Sequence, residues 1–296
     1  MLDLKIVGGR VVTPMGVGMW DIGVEGGKIV ALTVAGGLPQ DTGKTIDASG
    51  KIVLPGGVEA HTHVQTPLSP SAWGTDTAGP AETSKAAIWG GTTTFVDFAN
   101  VTRPEKPRVV DAAFEHLGYF QGQSYADYSA HCTFFGRGTN TDTVGQIGEL
   151  MAAGLPSLKV FTTNHAPRPG RPITMIDAGQ LADIMAQTAQ HGGMVAVHAE
   201  DDETVQHNYA LAQERETWEW YYLPVIRSNL SEDLSVRRTV RIAEHAGSAM
   251  YIVHTSAREG VDAVAEARRR ALPVYAETIL LYCSFNSENY MEPDGM

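Results

Sequence analysis

The chain has 296 residues, 43% hydrophobic and 19% charged, with 31 glycines, a composition that describes a folded globular protein with a large core and excludes a disordered one. Its 22 Lys and Arg stand against 34 Asp and Glu, a formal charge of -12, and the basic residues cluster only at Arg268 to Arg270, so a nucleic-acid partner is not expected. No run approaches the roughly 20 apolar residues needed to cross a membrane. The two cysteines, Cys132 and Cys283, lie far apart in strand-like segments and suggest neither a disulfide framework nor a thiolate metal site.

The N-terminus, Met1-Leu-Asp-Leu-Lys-Ile-Val, alternates as a strand does and carries charge where a leader would be apolar, so a reduced cytoplasmic protein is expected. Residues 1–53 read as short strands at Leu4 to Val7, Arg10 to Thr13, Asp21 to Val24, Lys28 to Thr33 and Thr45 to Asp47. Glycine pairs at 8–9, 26–27 and 36–37 separate them, which predicts a small antiparallel β unit.

From residue 54 to residue 296 the pattern changes to apolar strands alternating with helical stretches, the signature of βα units around a parallel sheet. Strands are predicted at Ile52 to Leu54, Thr92 to Phe98, Tyr128 to Phe135, Ser157 to Phe161, Met194 to His198, Ala249 to His254 and Leu272 to Ala276. Helices fall at Ile176 to His191, Asp233 to Ala246 and Gly260 to Ala271. The expected fold is α/β: a (β/α)8 barrel with seven of its eight strands, preceded by a small β-sandwich unit.

Barrel enzymes hold their chemistry at the C-terminal ends of the strands. The first strand leads to His61-Thr62-His63, where alternation along a strand would bring both imidazoles to one face. Lys159 lies in the fourth strand, His198 ends the fifth and His254 ends the sixth. Neutral imidazoles are good ligands for zinc and similar ions. Four histidines exceed the need of one catalytic zinc, which suggests two divalent metal ions sharing a water made acidic by both. A lysine among cations requires a neutral or modified amine.

These stretches resemble the amidohydrolase superfamily, and most closely its cyclic amidohydrolases, the dihydropyrimidinases and hydantoinases. The matching segments are Leu54-Pro-Gly-Gly-Val-Glu-Ala-His-Thr-His, Gly90-Gly-Thr-Thr-Thr-Phe-Val-Asp-Phe, Ser157-Leu-Lys-Val-Phe, Val197-His-Ala-Glu, Tyr251-Ile-Val-His-Thr-Ser-Ala-Arg-Glu-Gly, and Ala276-Glu-Thr followed by Leu281-Tyr. The resemblance implies that Lys159 is carboxylated and bridges two metals, usually zinc, with His61 and His63 on the first and His198 and His254 on the second. It further implies opening of a small cyclic amide to an N-carbamoyl acid, and a homotetramer or dimer for the complete protein.

Three positions depart from the family pattern. Glu59 stands where the family usually has aspartate, and Asn164 stands where hydantoinases usually have an oxyanion-stabilising tyrosine, which makes Asn164 the substrate or oxyanion candidate. The family's last ligand and general base, an aspartate ending strand eight, has no counterpart before Met296. Asp294 is not taken for it, and the 296-residue chain is expected to be inactive by itself. Glu59 and Glu200 are read as partners that orient ligating histidines; Asp97 and Glu277 are read as hydrogen-bond partners, and His131 as a core histidine. The aromatic run Trp218-Glu-Trp-Tyr-Tyr fits an entrance, an oligomer contact or plain helix packing. An allantoinase or dihydroorotase is the nearest rival reading. A non-catalytic dihydropyrimidinase-like assembly protein is the other, and it is disfavoured by the presence of all five ligands.

Overall fold

A computed structural model describes residues 1–66, 76–106, 108–164, 173–217 and 219–292, so Trp218 and Asp294 lie outside the described residues. The chain divides into two compact units, residues 1–58 with 91–93, and residues 59–90 with 94–296. The division falls five residues beyond the boundary expected from the hydropathy pattern.

In the first unit the strands are β1 (Leu2–Val7), β2 (Arg10–Thr13), β3 (Gly16–Glu25), β4 (Lys28–Val34), β5 (Thr42–Asp47) and β6 (Ile52–Val53). They form one six-stranded sheet in the order β5-β1-β3-β2-β6, with β4 also paired to β3. The sheet is mixed rather than antiparallel: β1 runs parallel to β5, and β2 runs parallel to β6. Buried Asp21 holds the turns around it, its carboxylate accepting the Gly8 N–H at 3.2 Å and the Gly36 N–H at 2.8 Å.

The pairing of Ile52 and Val53 with Arg10 and Val11 corrects one expectation. This segment belongs to the first sheet, and the strand that opens the parallel sheet is instead β7 (Gly57–Glu59). An apolar run of a few residues does not say which sheet it will join; the neighbouring hydrogen-bond donors decide that.

Beyond β7 come α1 (Pro80–Trp89), β8 (Thr92–Asn100), α2 (Val109–Gly118), β9 (Asp127–Thr133), α3 (Thr141–Gly145), α4 (Ile147–Ala152), β10 (Ser157–Phe161), α5 (Ala178–Gln190) and β11 (Met194–His198). They are followed by α6 (Asp202–Glu214), α7 (Leu223–Ile226), α8 (Asn229–Ala246), β12 (Ala249–Ile252), α9 (Arg258–Arg269), β13 (Val274–Ala276) and α10 (Leu280–Ser284). The strands are ordered β13-β12-β11-β10-β9-β8-β7, in strict sequence, and every registered pair from β8 to β13 is parallel. Right-handed βα units wound this way are the walls of a TIM-type barrel, and among the described residues no eighth strand joins β13 to β7.

Strands covered on both faces are largely apolar, and in β10 Leu158, Val160 and Phe161 are buried, with Lys159 the one buried charged side chain among them. Its outer face meets the helices in a core that includes Ala112, Ile147, Leu150, Ile184 and Val236. The larger of these side chains, Ile147, Leu150, Ile184 and Val236, each contribute about 1.5–3 kcal/mol when fully buried. Local signals set the helix ends. Asp177 and Gln180 form a reciprocal capping box that starts α5, and Gly247, at φ 67°, takes the left-handed conformation that ends α8. None of the described helices is long and apolar enough to cross a membrane.

Candidate metal centre

The five predicted ligands come from four places in the second unit. His61 and His63 lie in irregular backbone just past β7, so it is a loop and not the alternation of a strand that presents them. Lys159 is the third residue of β10, aligned with Thr133 of β9 and Ala196 of β11. His198 is the last residue of β11, and His254 stands two residues past the end of β12 with a strained positive φ of 41°.

The rings form a continuous chain. The centroids of His63 and His61 are 5.5 Å apart, those of His61 and His254 5.5 Å, and those of His254 and His198 4.6 Å. Phe98 of β8 packs 4.7 Å from His61 and 4.9 Å from His63, while Phe161 of β10 packs 5.2 Å from His198. Lys159 lies between these two phenylalanines, with Nζ 5.1 Å from the Phe98 centroid and 4.8 Å from that of Phe161. The residue is only 2% exposed.

Carboxylates fix the outer faces of the imidazoles. Glu277, one residue past β13, pairs with Nδ1 of His61. Glu200 pairs with Nε2 of His198 at 2.5 Å and is itself held by Arg227. An ionised carboxylate only accepts hydrogen bonds, so the proton sits on Nδ1 of His61 and on Nε2 of His198. That leaves Nε2 of His61 and Nδ1 of His198 as the ring nitrogens with a lone pair to donate. Buried Asp97 ties down the His61–His63 loop: it accepts the Val64 N–H at 3.2 Å and is anchored to Nε2 of His116 at 2.8 Å.

Burial sets the charge states. It lowers the His254 imidazole to about 2, with the neighbouring His198 and Lys159 adding to the effect. It lowers His63 too, and His61 pushes in the same direction. The Lys159 amine falls to about 7 through burial, opposed by Glu277. Burial works to raise Glu277, but its hydrogen bonds from His61, Tyr251 and the His254 N–H prevail and hold it below the usual carboxylate range.

The donor chemistry fits divalent cations. Neutral imidazoles offer lone pairs, and a buried amine that is half neutral at pH 7 is in the form that adds carbon dioxide. Lys159 Nζ lies over the rings of Phe98 and Phe161, whose faces attract a cation, so it is burial and not these rings that disfavours the ammonium. Among the described residues no three His, Cys, Asp or Glu side chains converge on one cation position; the four histidines run as a single row, His63, His61, His254 and His198.

Several expected roles are redistributed. Glu59 accepts the backbone N–H of His61 at 3.0 Å, and Glu277, not Glu59, orients the His61 ring. The backbone amide of Asn164 donates to Asp202 at 2.8 Å, and its side-chain carbonyl accepts the N–H groups of Thr174 and Met175 at 3.1 and 3.2 Å. Its NH₂ makes only long 3.5 Å contacts to Asp202. Both ring nitrogens of His131 have partners, Ser157 Oγ at 2.7 Å and the Ala60 carbonyl at 2.9 Å, the pattern of a neutral structural histidine.

Sequence reasoning missed Arg227 and Tyr251. Arg227 lies in no quoted segment and Tyr251 only opens one, and the fold brings them to Glu200 and Glu277. Of the aromatic run, Tyr221 and Tyr222 pack on each other at 4.4 Å. A cleft of about 500 Å³ opens beside the centre, lined by His198, His254, Glu200, Arg227, Tyr282 and Tyr290 among others.

No family model matches the chain. It is 34% identical over 294 residues to a D-hydantoinase of Streptomyces coelicolor, covering 98% of this chain and 60% of that protein. It is 32% identical over 285 residues to an allantoinase of Desulfitobacterium hafniense, covering 94% of this chain and 58% of that one. The solved structure of a D-hydantoinase from a Bacillus species superposes with a TM-score of 0.88 at 28% identity, over 98% of this chain and 60% of its own. The chain thus spans about three fifths of the length of these relatives. Along almost its whole length, and over about three fifths of theirs, the chain is similar in sequence and fold to the hydantoinases and allantoinases.

Proposed function

We propose that the whole protein is a metal-dependent hydrolase that opens a cyclic amide of the dihydropyrimidine or hydantoin type. The observation that carries this reading is the buried Lys159 amine against Phe98 and Phe161, whose rings also pack on His61, His63 and His198, in a chain 34% identical to a D-hydantoinase. His61 and His63 would hold one cation, His198 and His254 the other, and carboxylated Lys159 would bridge them. Two divalent ions bound there, zinc being well suited to imidazole donors, would supply water that ionises near neutral pH and would polarise the ring carbonyl.

The chain's own residues hold the geometry. Glu277 and Glu200 leave one ring nitrogen of His61 and of His198 with a lone pair to donate, and Phe98 and Phe161 exclude water around the lysine. Ring opening adds the oxygen of water to the carbonyl carbon, breaks its C–N bond and returns a proton to the departing nitrogen, leaving an N-carbamoyl acid. Asn164, through its weakly engaged NH₂, is the candidate donor to a substrate oxygen; one such donor is worth roughly 10² to 10³ in rate. The proton acceptor is an aspartate of an eighth strand, as the resemblance implies. The exposed apolar side chains of Leu280, Leu281 and Phe285 suit an assembly of several copies, in the cytoplasm.

A second reading is favoured by Asn164 and by the allantoinase similarity: an allantoinase-type or dihydroorotase-type ring. Metal analysis of the chain prepared with zinc and bicarbonate is expected to give two metals per chain and the mass of one added carbon dioxide, both lost in Lys159→Ala. Absence of stoichiometric metal in the unsubstituted chain would overturn the proposal. Dihydrouracil, hydantoin and allantoin, offered to the protein extended through an eighth strand, separate the two substrate readings.

A further inference from the structure

Glu277 touches more of the centre than any other carboxylate. It follows β13, at one edge of the parallel sheet, and its partner His61 follows β7, at the opposite edge. Its Oε1 takes the Nδ1–H of His61 and also the backbone N–H of His254, the latter at 3.4 Å. Its Oε2 takes the hydroxyl of Tyr251 at 3.0 Å. Tyr251 lies on β12, beside β13, and its ring stands three residues ahead of His254 on the same segment.

Three protein donors on two oxygens make Glu277 a fixed acceptor rather than a mobile ligand, because reorienting it would break all three bonds in a half-buried site. Its contacts reach one histidine from each candidate pair. At His61 it sets the tautomer. At His254 it captures the N–H of a residue whose φ of 41° a non-glycine side chain adopts only under restraint.

We propose that Glu277 is the positioning residue that couples the two halves of the centre: it fixes the tautomer of His61 and pins the backbone of His254, so that both histidines are presented together. This rests on the metal-centre reading above, yet half of it is measurable without metal. In the metal-free protein at pH 8, long-range ¹H–¹⁵N correlation is expected to show His61 protonated at Nδ1. In Glu277→Ala the ring is expected to shift to the Nε2–H form, while Glu277→Gln, whose amide oxygen still accepts, keeps Nδ1–H. Zinc competition with a chelator is expected to show about 10- to 100-fold weaker binding in Glu277→Ala, the loss typical of an outer partner of a ligating histidine, and a smaller loss in Glu277→Gln. Tyr251→Phe, which removes one of the three donors, is expected to fall between the Gln variant and the unsubstituted chain.

An unchanged His61 tautomer in Glu277→Ala, or zinc affinity within about twofold of the parent, would overturn the proposal. If Glu277→Ala does not fold, Glu277→Met, which fills a similar volume without an acceptor oxygen, decides it by the same two readouts. A parent chain that binds no zinc but shows the tautomer switch overturns the metal reading and leaves the positioning role standing.

Discussion

Lys159 Nζ lies 5.1 Å from the centre of the Phe98 ring, and that same ring is stacked on His63 at 4.9 Å. One aromatic side chain of β8 therefore walls in the amine and supports the histidine loop at once. With Phe161 as the opposite neighbour of the amine, the lysine is dehydrated by side chains that also pack on the imidazoles. The chemistry proposed for Lys159 depends on that enclosure, because only a desolvated amine is neutral enough near pH 7 to take up carbon dioxide.

Asp97 is fully buried and holds the loop that carries His61 and His63. Asp97→Ala leaves the Val64 N–H and Nε2 of His116 without their acceptor, so a loss of about 1–3 kcal/mol is expected. Asp97→Asn retains one acceptor oxygen and is expected to lose less. Urea unfolding of the two variants checks the order, and equal stability of Asp97→Ala and the parent would refute the anchoring role.

Glu232 caps a helix that has no side-chain cap of its own. From α8 its carboxylate accepts the N–H of Ser256 at 3.2 Å and that of Ala257 at 2.9 Å, at the start of α9. Glu232→Ala is expected to cost about 1–2 kcal/mol. Burial raises this carboxyl above its ordinary range, against the pull of the Ala257 and Ser256 hydrogen bonds. A folded value above the unfolded one means that the native state holds the proton more tightly. The contribution is then full below the unfolded pKa and declines as pH rises through the folded value. The stability gap between parent and Glu232→Ala should therefore be wider at about pH 4 than at about pH 7.5. A gap that widens with pH would contradict the burial effect.

The two cysteines occupy opposite environments. Cys132 is buried in β9, and burial pushes its thiol up to about 12. Cys283 sits exposed on α10, a short helix where a strand was expected. Since the thiolate is the reacting species, a thiol reagent at about pH 8 is expected to label Cys283 alone in the native chain and both residues after unfolding. Mass mapping of the labelled peptides checks this, and native labelling of Cys132 at the rate of Cys283 would contradict it.

The parallel βα organisation and the histidines and lysine of the candidate centre were legible in the amino-acid pattern. Apolar strands buried on both faces, as in Leu158 to Phe161, announce themselves by composition, and histidines and a lysine at their ends stand out because such residues are otherwise costly there. The same pattern also exposed the departures at Glu59 and Asn164. Pairing, by contrast, came from the folded arrangement alone. Ile52 and Val53 joined the first sheet because β2 offered its edge, which no periodicity records. Likewise His61 took Glu277, 216 residues away, rather than Glu59, whose carboxylate was captured by the backbone two residues on. A short-range pattern fixes which way a side chain leaves its strand; the partner it finds depends on which distant chain segment the closed fold delivers to the same point.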